Sequence, residues 1–179
     1  NKLVREDYAG KNVTILPVGK KGFEFFSKMP VGMIADFKDT FQHLNAENGF
    51  AIGEYVLNQF KAGKFDKVEV VYNQFKNAAT QILSNEPFLP IVKQNMGGNA
   101  AKNDYIFEPS KAEILEELIP RILKTQIYKS LLDSFASEHG ARMVAMDKAT
   151  DNAGELIKAL KLEYNRARQA AITTEISEI

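Results

Sequence analysis

The stretch "ARMVAMDKATDNAGELIKALKLEYNRARQAAITTEISEI" (Ala141 to Ile179) closes the sequence and decides the architecture. Met143, Met146, Thr150, Ala153, Ile157, Leu160, Tyr164, Ala167 and Ala171 step alternately by three and four, which is the spacing of a coiled-coil seam. Upstream, Ser110-Lys111-Ala112-Glu113 fits a capping box, so a helix is predicted to start there. Apolar residues at helical spacing (Ile114, Leu115, Leu118, Ile122, Leu131, Leu132 and Phe135) carry it forward, with Pro120 expected to bend or weaken it locally. Unbroken from Ser110 to Ile179, such a helix is about 105 Å long at 1.5 Å per residue. A domain of about a hundred residues has a radius of gyration near 13 Å, so the helix outruns its own domain.

An amphipathic helix in water draws most of its stability from burying its apolar face, so the seam requires a cover. Pattern leaves three open. A break at Gly140 would fold residues 111–139 back on 141–179 as a hairpin. A second copy would give a homodimeric coiled coil, although Thr150, Ala153, Ala167 and Ala171 bury little. A helix from elsewhere, either a segment before Asn1 or another subunit, suits the small residues best.

Residues 1–109 read as a separate α/β domain and 110–179 as the long helix. "NVTILPV" (Asn12 to Val18) is predicted as a buried strand leading through "GKKG" (Gly19 to Gly22). "VGMIADF" (Val31 to Phe37) gives a second strand or its approach. "AIGEYVLNQFKAG" (Ala51 to Gly63) sets Ile52, Tyr55, Val56 and Phe60 on one helical face, and "KVEVVYNQF" (Lys67 to Phe75) is the clearest strand. Strands alternating with helices predict a small, largely parallel sheet with flanking helices. "NEPFLPIVKQNMGGNAAKNDYIFEP" (Asn85 to Pro109) reads as loop around one short strand at Asp104 to Phe107.

Composition narrows the function. Basic and acidic residues balance at 23 each, so no net field favours nucleic acid or an acidic membrane. There is no cysteine, which removes thiolate nucleophiles and thiolate metal sites from this stretch. No run reaches the roughly twenty apolar residues that span a bilayer, so direct membrane insertion is not expected. The opening "NKLVREDYAG" has no signal core or initiator methionine and reads as the tail of a helix that begins earlier, so the chain is expected to be a fragment.

Candidate chemistry is sparse. "GKKG" lacks the spacing of a P-loop and reads as a strand-to-helix turn, and "MGGN" (Met96 to Asn99) reads as loop. His43 and His139 stand far apart in sequence without carboxylates at ligand spacing, so no metal is expected. Glu113, Glu116 and Glu117 near a helix start are explained by the helix dipole. No cofactor and no catalytic residue is assigned. The one distinctive polar patch is Arg168, Gln169 and Thr173, suited to hydrogen-bonding a protein loop.

The block "SFASEHGARMVAMDKATDNAGELIKALKLEYNRARQAAITTEISEI" (Ser134 to Ile179) closely resembles the gamma subunits of F-type ATP synthases. "LIPRILKTQIYKSLLDSFASEH" and "FDKVEVVYNQFKNAATQ" also match that family's middle region. The resemblance implies a Rossmann-like domain that binds no nucleotide, set near the epsilon subunit and the membrane c-ring. It implies a shaft helix rising into the ring of alpha and beta subunits, paired antiparallel with an N-terminal helix and lacking that helix and the first strand here. It further implies contact or coupling roles for Arg142, Arg168, Gln169, Thr173 and Glu175, with catalysis left to beta. Such a rotor couples proton-driven rotation to ATP synthesis or hydrolysis, peripheral to a bacterial inner membrane on its cytoplasmic side. The rivals are a small α/β nucleotide-binding module with a helical dimerisation arm and a generic coiled-coil scaffold.

Overall fold

A computed structural model of the chain describes residues 3–91, 108 and 110–178. It contains strands β1 (Thr14–Ile15), β2 (Gly32–Met33), β3 (Val68–Asn77) and β4 (Thr80–Leu89), and helices α1 (Lys20–Phe26), α2 (Ala46–Lys61) and α3 (Lys111–Ser177). The strand predicted at Asp104 to Phe107 and the Met96 to Asn99 loop lie outside the described residues. Two compact units divide the chain: residues 1–74 with 83–135, and residues 75–82 with 136–179.

In the first unit β1 and β2 pair in parallel, Thr14 opposite Gly32 and Ile15 opposite Met33, as the alternation of strand and helix predicts. The turn into α1 needs a glycine twice over. Gly19 has φ of 105°, and a Cβ there would stand 3.0 Å from the Phe41 ring. α2 starts five residues earlier than its apolar spacing indicates, because the Asn45 side chain caps it by accepting from the Asn48 amide at 2.8 Å. Its other end is a Schellman motif: Gly63, at φ of 69°, donates to the Phe60 carbonyl and Lys64 donates to that of Gln59.

β4 corrects the sequence reading. Asn85 to Leu89, taken there as loop, is the end of a ten-residue strand. Only Ala78 and Ala79 separate β3 from β4, a connection short enough only for an antiparallel hairpin. Pro87 has no amide to give and points its side chain outward, which a strand tolerates where no neighbour needs that donor. The side chains tie the two strands together. Tyr72 Oη donates to Glu86 Oε1 at 2.7 Å, and Gln126 Nε2 of α3 donates to the other oxygen at 3.3 Å. The Glu86 carboxylate holds the Tyr72 phenol protonated, and with burial pushes its pKa up to about 12.

The core of this unit joins α2, β4 and α3. Ile52 and Phe88 are each 2% exposed, and Leu57, Leu89, Leu123, Ile127 and Leu131 close around them. α2 and α3 approach closely because α2 places glycines where they meet: a Cβ on Gly53 would lie 3.0 Å from Lys124 Cα, and one on Gly49 would collide with the Tyr128 ring. The opening segment forms one helical turn, Leu3–Asp7, and is anchored by Tyr8. Tyr8 Oη donates to Glu69 at 2.5 Å and accepts from Lys67 Nζ at 2.8 Å, while Lys67 itself lies 2.6 Å from Glu69. Those donors, Lys67 first and Tyr8 next, lower the Glu69 carboxyl to about 2.

α3 begins where the capping box places it, with the Glu113 amide donating to Ser110 Oγ at 3.3 Å. Its predicted single stripe divides into two faces, which is a second correction. Leu123, Ile127 and Leu131 face the core, whereas Leu115, Leu118, Ile122 and Leu132 stay 41–53% exposed. The register Leu123, Ile127, Leu131 steps by four and lies about 100° around the helix from the step of three and four.

In the second unit the hairpin tip approaches α3 at Gly140. The hairpin break considered at Gly140 does not occur: α3 runs through it. Glycine is there for a different reason. A Cβ would sit 3.0 Å from Ala78 Cα and 3.3 Å from the Phe75 ring, so the turn reaches the helix backbone only because that side chain is missing.

Candidate subunit interface on the long helix

The candidate site is built on α3, whose backbone groups between its end turns are satisfied within the helix, leaving side chains as the means of recognition there. In the second unit the seam is bare. Met143, Met146, Ile157, Leu160 and Tyr164 are all more than half exposed, and Thr150, Ala153, Ala167 and Ala171 are exposed between them. A globular surface scatters such residues singly, whereas a continuous apolar row marks a binding face.

The same three-four step can be run backward from Met143 through His139, Ala136, Leu132, Lys129, Thr125, Ile122, Leu118 and Leu115. The half-exposed residues of α3 in the first unit therefore occupy seam positions as well. Reading the heptads only beyond Gly140 conceals this, because the core-facing row Leu123, Ile127, Leu131 overlays the seam with a second apolar pattern. A cleft of about 310 Å³ between Phe88, Ile91 and Ile119 meets the seam at Ile122. A neighbouring one of about 470 Å³ is bounded by Tyr72, Glu86, Leu118 and Lys129.

A further row missed in the sequence lies near the distal end. Leu162, Asn165, Gln169, Ile172 and Ile176 follow the same spacing on another side of α3, with Leu162, Ile172 and Ile176 between 45% and 69% exposed. Apolar residues on two sides are what a helix shows when it is enclosed rather than leaning on one neighbour.

The polar residues fall at different places on this frame. Arg142 is paired with Glu138 one turn back. Gln169 and Thr173 stack one turn apart, and Thr173 Oγ1 donates to the Gln169 carbonyl at 2.9 Å. Arg168 projects about 100° around the helix from Gln169. Arg168, Gln169 and Glu175 are exposed, and their side chains make no hydrogen bond or ion pair among the described residues. These three side chains are therefore available to a partner. Among the described residues no group of three or more histidine, aspartate or glutamate side chains is placed to hold a metal, and no helix is long and apolar enough to cross a membrane.

The family model described as ATP synthase matches residues 1–179. The chain is 52% identical to the ATP synthase gamma chain of Cytophaga hutchinsonii, over all of this chain and 63% of that one. It is 55% identical to the gamma chain of Flavobacterium johnsoniae, over 96% of this chain and 60% of that one. The chain thus spans about three fifths of the length of these relatives. Among solved structures it resembles a chain of the Euglena gracilis mitochondrial ATP synthase assembly of OSCP, F1 and c-ring in rotational state 3. That match has a TM-score of 0.58 and 21% identity, over 98% of this chain and 63% of that one. A chain of the Euglena rotor in rotational state 1 matches with a TM-score of 0.55 and 22% identity, over 96% of this chain and 68% of that one. At these identities the structural likeness speaks for the fold.

Proposed function

This chain belongs to the ATP synthase gamma-chain family, and on that premise we propose that it is part of the central rotor of an F-type ATP synthase. Residues 110–179 would serve as the shaft and residues 1–109 as the Rossmann-like foot. The observation that carries the reading is the bare heptad seam of α3. A helix of 67 residues with that much apolar surface in water is stable only when covered. We assign the cover to an antiparallel helix of the same subunit, and assign the enclosure of the distal end to the ring of alpha and beta subunits. The foot would meet the epsilon subunit and the c-ring, peripheral to a bacterial inner membrane on its cytoplasmic side. The β1–β2 pair fits this reading too: its strands are only two residues long, and a further strand of the subunit beside β1 would widen it.

The mechanism is mechanical. An asymmetric shaft presents different side chains to each catalytic subunit at each angle, so each orientation favours one conformation of each subunit through differential contact. Because coupling free energy is reciprocal, nucleotide state then biases the shaft angle as the shaft biases nucleotide affinity. ATP chemistry belongs to beta, and this chain supplies contacts: Arg142 along the shaft, and Arg168, Gln169, Thr173 and Glu175 near its distal end. Arg168 with Gln169 can offer a charged and an amide donor to one loop.

Alanine at both Arg168 and Gln169 in the whole subunit, assembled with its partners, is expected to lower rotor-coupled ATPase activity about tenfold. That corresponds to the lower end of the range for one charge-assisted hydrogen bond, about 1.5 kcal/mol. Unchanged activity in a fully assembled complex would remove these two residues from the coupling contact.

A further inference from the structure

The seam of α3 has one charged position in its whole length. From Leu115 to Ala171 the three-four series holds apolar or small residues, two threonines, a tyrosine, a histidine and a single lysine, Lys129. Its side chain is exposed and makes no ion pair or hydrogen bond among the described residues. It stands at the rim of the 470 Å³ cleft with Leu118 and Ile122 on the same face. The carboxylate in that cleft, Glu86, is already engaged by Tyr72 and Gln126.

A lysine inside an apolar seam is costly when covered unless an opposite charge meets it. Where a coiled coil keeps one polar or lysine position among apolar ones, that position fixes the register of the partner at some expense in stability. We propose that Lys129 is the register pin of the shaft, and that the helix covering the seam carries an aspartate or glutamate opposite it. This rests on the shaft reading above. More than a third of the length of the gamma-chain relatives lies outside the match, which is room enough for the covering helix. In sequence the three-four step also runs without a change from Met143 back to Leu115. A slip by one heptad would set Lys129 against an apolar position and leave the carboxylate unpaired, which is how one ion pair selects one alignment.

The test is zero-length carbodiimide cross-linking of the assembled complex, which joins a lysine amine to a carboxylate in contact with it, followed by peptide mass spectrometry. The expected product links Lys129 to an aspartate or glutamate of the same subunit outside residues 1–179, and Lys129→Gln loses that product alone. Cross-linking of Lys129 only to Glu86 or to another carboxylate within residues 1–179 overturns the proposal. So does acetylation of Lys129 by an amine reagent as fast as that of the off-seam Lys158. Amide hydrogen exchange over residues 143–171 separates the two levels. Slow exchange there with a freely acetylated Lys129 sinks the pin and leaves the shaft reading, whereas fast exchange throughout sinks both.

Discussion

Glutamate at both Ile157 and Leu160 is expected to prevent the whole subunit from assembling a functional shaft. Each is more than half exposed in this chain, so the substitutions should cost the isolated stretch little. In a covered seam the outcome is different. Each side chain then contributes about 1.5–3 kcal/mol of burial that the variant forgoes. Two carboxylates buried without partners add several kcal/mol more. The sum approaches the whole stability of an ordinary domain, about 5–15 kcal/mol. Circular dichroism of residues 1–179 alone should therefore change little between the two sequences, while recovery of the variant in the assembled complex should fall to background. Equal recovery would mean that this face of α3 stays in water.

The second large effect is in the core shared by α2, β4 and α3. Phe88→Ala removes a side chain that is 2% exposed and packs among Ile52, Leu123 and Ile127. Truncating a buried phenylalanine costs about 3–5 kcal/mol, part of it from the cavity left behind. Because β4 supplies Phe88 and α3 supplies Leu123 and Ile127, the loss falls on the contact that joins helix to hairpin. A denaturation midpoint lowered without a change of slope is the expected result for the whole subunit. A midpoint within error of the unsubstituted protein would show that Phe88 is not part of the core described.

The long helix was legible because two independent signals, the serine cap and a strict heptad step, agree over its length. α2 was legible for a similar reason, its apolar face being uninterrupted. β4 was hidden because Pro87, Asn85 and Glu86 argue locally for loop, whereas Tyr72 on the facing strand and Gln126 on α3 hold Glu86 in place. Those two partners are distant in sequence, and no local pattern points to them. Gly140 stays open in the sequence for a related reason: a glycine within a helix is ambiguous between a break and a close approach, and only the position of Ala78 decides. The candidate interface divides along the same line. Its seam beyond Met143 follows from periodicity, but the continuation through Leu132, Lys129 and Leu115 becomes visible only once Leu123, Ile127 and Leu131 are seen to face the core. The distal row from Leu162 to Ile176 was present in the spacing but interrupted by Asn165 and Gln169, two amides that read as surface when taken singly.

The central claim is that α3 turns inside a ring. Residues 1–179 contain no cysteine, so Lys64→Cys, in the exposed loop after α2, gives this part of the chain a single attachment point. With the beta subunits of the complex fixed to a surface and a bead attached at that cysteine, adding ATP is predicted to rotate the bead continuously in one direction. A bead that stays still, or rocks without net turns, while the same complexes hydrolyse ATP would contradict the account.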